Sequence, residues 1–280
     1  MPELRELAVG VMFWAGGDPL ATIRQMKALG AECGQLGIPG ELSLVGAAQA
    51  WKAALEEEQF PVVTVFCSYV GESYADIPTV QQTVGFIPKA TREEREARTK
   101  EVSEFAAAIG VRSIACHVGF VPENHSDPDY LAVREMVRRI ADYAGKHGQT
   151  FALETGQEPA DILLKFLNDV KRENLGINFD PANMILYGTG DPIQALSVLG
   201  PNVISVHAKD GQWPPKDAPD ALGTEKPLGE GAVGMEQFIA KLKQVGYRGT
   251  INVEREGIED KEQRAADINM GINLLKSLRG

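Results

Sequence analysis

The chain has 280 residues, 44% of them hydrophobic, which suffices for a large core and excludes a disordered chain or a small disulfide-stapled scaffold. Its 39 acidic residues outnumber its 28 basic ones, and the resulting net charge of −11 repels a nucleic-acid backbone and gives no grip on anionic membranes. No apolar run approaches the roughly 18 residues of a bilayer span, the charged stretch Glu3-Leu4-Arg5-Glu6 lacks the basic-then-apolar order of a secretory leader, and three cysteines without a CxxC pair suit a reducing cytosol, so a cytoplasmic protein is expected.

In chain order, short apolar runs alternate with longer amphipathic ones about eight times, at roughly 35 residues per unit, the pattern of βα units on a parallel sheet. Strands are expected at 7–14, 33–38, 61–67, 111–117, 150–154, 175–180, 203–207 and 250–254. Cys33, Cys67 and Cys116 fall on three of them as ordinary buried strand residues. Helices are expected at 19–29, 47–58, 92–109, 128–147, 159–172, 192–199, 235–245 and 261–278. Asp18-Pro19, Asp127-Pro128 and Asp191-Pro192 each place a capping oxygen before a proline at the first helical position. Gly30, Gly110, Gly148, Gly200 and Gly246 follow helices, where left-handed stops belong. Eight units in one chain of this length point to a single (β/α)8 TIM barrel over residues 1–280, with a doubly wound open sheet as the alternative.

Two connections are too long for plain linkers, 68–90 after the third strand and 210–234 after the seventh. Both follow strands, so in a barrel they lie on the C-terminal rim where active sites are built. The run Arg92-Glu93-Glu94-Arg95-Glu96 reads as a solvated helix face.

The strand ends hold the chemistry. Four consecutive strands finish on Glu154, Asp180, His207 and Glu254. Side chains two apart share a face of a strand. Phe151 and Leu153, Ile177 and Phe179, Ile204 and Val206, and Ile251 and Val253 form the large apolar register of these strands. Ala152 and Glu154, Asn178 and Asp180, Ser205 and His207, and Asn252 and Glu254 form the other. On strand four, Ile114 and Cys116 oppose Ser113, Ala115 and His117. With the apolar register against the helices, five ionisable groups point into one barrel mouth. Burying them uncompensated costs several kcal/mol each, and a divalent cation removes that cost. Three carboxylates and one imidazole suit Mn²⁺ foremost, then Mg²⁺ or Co²⁺, better than a closed structural zinc site, although Zn²⁺ is compatible with the donors. Glu256 shares a face with Glu254, and strand parity does not separate the two.

The segments Leu153-Glu154, Asn178-Phe179-Asp180-Pro181-Ala182-Asn183, Val206-His207-Ala208-Lys209-Asp210, Leu228-Gly229-Glu230-Gly231, and Gly246-Tyr247-Arg248-Gly249 before Glu254 resemble the xylose isomerase-like TIM-barrel superfamily. Within it they are most similar to the sugar phosphate isomerase/epimerase branch that includes the ketose 3-epimerases. The resemblance is densest from His117 to Glu256. It implies that Glu154, Asp180, His207 and Glu254 ligate one metal ion, selecting Glu254 over Glu256, and that Glu154 and Glu254 double as the acid/base pair. It further implies a sugar isomerase or epimerase that moves a proton alpha to a carbonyl through an enediolate. A metal-dependent hydrolase, lyase or dehydratase acting on a sugar or cyclic polyol is the alternative, and a non-catalytic sugar-binding barrel a third reading. The same superfamily contains the multi-zinc endonuclease IV type, which has a further histidine three residues beyond the sixth-strand aspartate. Asn183 stands there, and together with the acidic charge it speaks against DNA repair.

His117, Lys209, Trp14, Trp213 and Glu230 are the candidate substrate contacts. Each has a plainer alternative: a core histidine, a salt bridge from Lys209 to Glu230 or Asp210, loop packing for the tryptophans, and a rim-loop role for Glu230. His147 closes a helix, where a cation suits the dipole, and His125 has no assigned partner. There is no glycine-rich P-loop and no basic cluster on the last two βα loops beyond Arg255 and Lys226, so an unphosphorylated sugar or sugar acid is expected as the small-molecule partner. A homo-oligomer is compatible with barrels of this type, but no surface for it is readable.

Overall fold

The computed structural model describes residues 3–218 and 220–280; Met1 and Pro2 of the N-terminal stretch and Pro219 of the seventh-strand loop lie outside that description. The elements run β1 (Val9–Trp14), α1 (Pro19–Ala28), β2 (Cys33–Ile38), α2 (Ala47–Glu58), β3 (Val62–Cys67), α3 (Ile77–Thr83), α4 (Arg92–Ala108), β4 (Ser113–Cys116), α5 (Pro128–Lys146), β5 (Thr150–Glu154), α6 (Ala160–Val170), β6 (Leu175–Phe179), α7 (Pro181–Leu186), α8 (Pro192–Leu199), β7 (Val203–Ala208), β8 (Asp210–Gln212), β9 (Thr224–Lys226), α9 (Met235–Gln244), β10 (Ile251–Val253) and α10 (Lys261–Arg279). Eight parallel strands close in the order β1-β10-β7-β6-β5-β4-β3-β2, a (β/α)8 barrel rather than an open sheet. No helix among the described residues is long and apolar enough to cross a membrane.

The strand alternation sets two packed layers. Outward residues such as Val9, Val11, Leu36, Val65, Ile114, Phe151, Ile177, Val206 and Ile251 join the apolar faces of the helices in one core. Inside the barrel, Met12, Phe66, Ala115 and Ala152 form a smaller apolar floor. Ile204 departs from the sequence expectation. It does not pack beside Val206 against the helices but against this inner floor. The pairing of β6 with β7 shifts between Ile177 and Asn178, matching Ile177 to Val203 and Asn178 to Ser205, so one residue of β7 is skipped.

The Asp-Pro starts behave as capping chemistry dictates. Asp18, Asp127 and Asp191 accept backbone N–H bonds from the first turns of α1, α5 and α8. Gly30, Gly110, Gly148 and Gly246 take positive φ beyond their helices. Gly200 does not: its φ is −47° and it opens a 3-10 turn. The missing side chain there makes room for Val245, whose Cβ would lie 2.8 Å from an added methyl.

The two long rim segments are partly ordered into secondary structure. The first contains α3, and the second folds back as the antiparallel hairpin β8–β9. They meet over the barrel mouth, where the Ile77 N–H donates to the Asp220 carbonyl at 3.0 Å. All three cysteines are buried and free on β2, β3 and β4.

Candidate metal centre and active-site cavity

Four elements deliver the ionisable cluster. Glu154 ends β5. Asp180 follows β6 and is the N-cap of α7, its Oδ1 accepting the N–H groups of Ala182 (2.8 Å) and Asn183 (3.0 Å). Thr155 holds Asp180 from the other side, bonding both its backbone N–H and its carbonyl. His207 lies on β7, and Glu254 follows β10. One ligand atom from each of Glu154, Asp180, His207 and Glu254 lies within 4.8 Å of the others, and all four residues are buried.

The hydrogen bonds orient this group. His207 Nδ1 is 3.0 Å from Glu154 Oε1 and 3.3 Å from Glu254 Oε2. Its Nε2 is 3.0 Å from Gln35 Oε1. Gln35 is fully buried on the inner face of β2 and donates its amide to Asn178 Oδ1 at 3.2 Å. Ser205 also donates to that oxygen. With Nε2–H directed at Gln35, the Nδ1 lone pair of a neutral His207 faces the carboxylates, the usual preparation of a metal-binding imidazole. Asn183 Nδ2 donates to Glu154 Oε1 at 3.2 Å, and Lys209 Nζ to Glu254 Oε2 at 3.2 Å.

Two carboxylate oxygens of this cluster, Glu154 Oε2 and Asp180 Oδ2, are buried with no hydrogen-bond donor among the described residues. Orphaned anionic oxygens are costly. Three carboxylates and one imidazole around them are the donor chemistry of a hard or borderline divalent cation, so the residues present fit such an ion. The electrostatics of the bare cluster agree. Burial pushes the Asp180 carboxyl well above its usual range, reinforced by Glu254 and Glu154 against the pull of Lys209. Burial also opposes charge on Glu254, but Lys209 and His207 outweigh it and hold that carboxyl well below the usual range. Burial disfavours an imidazolium at His207, yet Glu254 and Glu154 together push its pKa well above normal. The cluster thus takes up positive charge wherever it finds it.

Above the cluster opens a cavity of about 610 Å³ whose wall includes Trp14, His117, Asn183, Lys209, Glu254 and Glu256. His117 Nε2 lies 3.8 Å from Glu154 Oε2, Gln157 Nε2 is 3.3 Å from His117 Nδ1, and the His117 ring meets Phe66 and Tyr74. Trp14 donates its indole N–H to Glu256 at 2.8 Å. Lys209 pairs with neither Glu230 nor Asp210. It lies 3.2 Å from Glu254 and 3.9 Å from both Glu225 and Glu256.

Two of the candidate substrate contacts are not brought to the cavity. Trp213, 45% exposed, lies in the loop between β8 and β9, outside the cavity wall. Glu230 is exposed, and its loop is tied instead by Asp210, which accepts the N–H groups of Gly211, Gly229 and Val233. Asp210 is buried directly beneath that turn, so the adjacent glutamate is left to solvent. His125 is paired with Asp169 at 2.9 Å and stacked on Tyr130, away from the cavity, and His147 is the C-cap of α5.

Gln35, Glu225, Tyr74 and Tyr187 are site residues that sequence reasoning misses. Only Gln35 leaves a trace in the chain, as a polar residue in the inward register of a strand whose outward positions, Leu36 and Ile38, are apolar.

A family model described as xylose isomerase-like TIM barrel matches residues 23–278. A xylose isomerase domain protein from Planctomyces limnophilus is 41% identical, with a TM-score of 0.93 over 98% of both chains. A xylose isomerase-like TIM barrel protein from Mycobacterium smegmatis, solved in complex with magnesium, is 18% identical with a TM-score of 0.69 over 99% of this chain and 98% of that one. The D-allulose 3-epimerase from Methylomonas sp. is 17% identical with a TM-score of 0.70 over 99% of this chain and 100% of that one. At those two lower identities the likeness is one of fold. An uncharacterized protein of Methanocaldococcus jannaschii is 27% identical over 173 residues, 58% of this chain and 56% of that protein, so the match spans about half the length of this curated relative.

Proposed function

This chain belongs to the xylose isomerase-like TIM-barrel family, and from that premise we propose that it is a divalent-metal-dependent sugar isomerase or epimerase. The observation that supports this most is the convergence of Glu154, Asp180, His207 and Glu254, with two donorless carboxylate oxygens, at the floor of a cavity large enough for a sugar.

In this reading the four residues hold one divalent ion, Mn²⁺ foremost. A bound ion of this kind would supply Lewis acidity toward a substrate carbonyl, which would acidify the proton alpha to it. The chain's own groups move the proton. Glu154 and Glu254 come from different strands, each within 3.3 Å of His207 Nδ1, and in this reading they face a substrate carbon from its two sides. One removes the proton alpha to the carbonyl. The other returns a proton to the opposite face for epimerisation, or to the neighbouring carbon for isomerisation. Lys209 and Asn183 fix the orientation of these two carboxylates through the bonds described above. His117 reaches a sugar hydroxyl beside Glu154.

The test is hydrogen exchange. Mn²⁺-loaded protein incubated with a panel of ketoses in D₂O should place deuterium on a carbon next to the carbonyl. Glu154→Gln and Glu254→Gln should each slow that exchange by about 10²-fold or more. Absence of exchange across ketoses, keto acids and their phosphates would overturn the proposal, and a product lighter by one water would redirect it to a dehydratase.

A further inference from the structure

The two ends of the cavity differ in chemistry. On one side Trp14 and Glu256 rise beside each other from the ends of β1 and β10, which are neighbours in the barrel. Glu225, at the centre of β9, joins them, so three carboxylates (Glu225, Glu254 and Glu256) face the opening here. Lys209 is the one lysine or arginine among the described residues that line the cavity, and it is already taken up by Glu254 and Glu256, while Glu225 is held from behind by Arg255 at 2.8 Å. A phosphate or carboxylate on the substrate would meet this acidic rim with no free cation to receive it.

The other side is apolar. Leu186 and Tyr187 at the end of α7, Leu222 on the approach to β9, and Tyr74 before α3 line it. Val80, Val84 and Tyr187, with Ile77, Phe120 and Leu222 packed on them, form a hydrophobic cluster separate from the barrel core. This cluster roofs the site at the meeting of the two long rim segments. The roof is rigidly placed: the Gly223 N–H donates to the Leu186 carbonyl at 2.8 Å, and a side chain at Gly223 would strike the Gln212 carbonyl at 2.1 Å. Yet Tyr74 remains 40% exposed beneath it. The cavity is open to solvent, and its volume of about 610 Å³ lies in the range that takes a sugar together with a substituent.

Resting on the proposed sugar chemistry of this site, we infer that the substrate is an uncharged sugar carrying an apolar substituent, which lies against the Tyr74–Leu186–Tyr187–Leu222 wall while the sugar's hydroxyls face Lys209 and Glu256. Hydroxyls satisfy carboxylate acceptors, and an apolar ring or alkyl group covers the surface that a bare sugar leaves wet.

Calorimetric titration of the Mn²⁺-loaded protein with D-fructose, D-fructose 6-phosphate and 6-O-benzyl-D-fructose tests this, because C6 then bears a neutral hydroxyl, a charged phosphate or an apolar ring. The benzyl ether should bind about tenfold tighter than the parent sugar and the phosphate about tenfold weaker. Leu222→Ser should bring the benzyl ether to within about twofold of the parent sugar, both measured on that variant, so the ratio and not either affinity is read. Tyr74→Ala, read by the same benzyl-to-parent ratio, repeats the test should the leucine variant lose Mn²⁺ binding. A phosphate that binds as well as the parent, a benzyl group that gains nothing, or no binding by any of the three overturns the inference. Because binding is read without turnover, absent deuterium exchange with this ranking intact would sink the proposed reaction alone. Exchange with the ranking reversed would sink the substrate class alone.

Discussion

Gln35 Oε1 and His207 Nε2 meet 3.0 Å apart at the floor of the site, joining β2 to β7 across the barrel. An amide oxygen only accepts, so Nε2 carries the hydrogen and Nδ1 is left to face Glu154 and Glu254. Gln35 in turn is fixed by Asn178, which also takes the Ser205 hydroxyl. Removing the glutamine frees the ring to rotate and to change tautomer. Gln35→Ala is therefore expected to weaken Mn²⁺ binding by about 10–100-fold, read by equilibrium dialysis. Unchanged affinity would mean that the ring is held by packing on Phe66 alone.

Asp180 has two roles that substitution can separate. Its Oδ1 caps α7, while its Oδ2 is buried without a donor among the proposed ligands. Asparagine keeps the capping oxygen and removes the charge. Asp180→Asn keeps the cap and removes a buried charge, so it should be at least as stable as the metal-free parent while losing Mn²⁺ binding. Asp180→Ala should lose both, with a further cost of about 1 kcal/mol for the cap. Denaturant melts in chelator, run beside dialysis, check the pair, and equal stabilities for the two variants would deny the capping role.

These predictions rest on residues of unequal visibility in the sequence. The barrel is legible because βα alternation, Asp-Pro starts and glycine stops recur with the unit, and each is a local signal. The four ionisable strand ends are legible for the same reason: strand period puts them on the face opposite Phe151, Phe179, Val206 and Val253. Gln35 shows only as a polar residue in an inward register, because its meaning is a contact with a residue 172 positions away. Ile204 misleads because a skipped pairing reverses the face that alternation assigns to it. The roof is hidden for a different reason: α3 and the β8–β9 hairpin are short, and they gain order from each other across the mouth rather than from their own patterns.

Arg255 anchors that roof from below. Its guanidinium bonds Asp267 of α10 at 3.0 Å and Glu225 of β9 at 2.8 Å, and all three side chains are largely buried. Glu225 also accepts the backbone N–H groups of Glu256 and Gly257, both at 3.0 Å. Arg255→Met removes the close cation from two buried carboxylates, leaving Glu225 only Lys209 at 3.9 Å, and should destabilise the protein by about 3 kcal/mol. Replacing Asp267 by Leu in the same chain should recover part of that loss, since an apolar pair costs less than an orphaned charge. Urea melts of the single and double variants read the difference, and a single variant as stable as the parent would show that water already solvates these groups.

Glu158 supplies a pH dependence that is independent of the metal ligands. It is buried on the segment after β5, its Oε1 accepts the Val121 N–H at 2.8 Å, and its Oε2 has no partner among the described residues. Burial pushes its carboxyl up to about 8 from an ordinary 4.5, against the opposing pull of backbone N–H bonds. Below pH 4.5 the folded and unfolded chains both hold the proton, and the stability contribution is fully present. As pH rises from there, the unfolded chain releases the proton while the folded chain keeps it. Stability therefore falls by about 1.4 kcal/mol per pH unit until pH passes the folded value, and is level beyond it. Glu158→Gln retains an oxygen for Val121 and abolishes the titration. The variant should match the parent at pH 4.5 and exceed it progressively toward pH 8, by a few kcal/mol at the upper end. Titrations common to both proteins, the His207 cluster included, cancel in that difference. Urea unfolding in chelator at three pH values measures it, and parallel curves for the two proteins would show that Glu158 ionises in the fold as readily as in water.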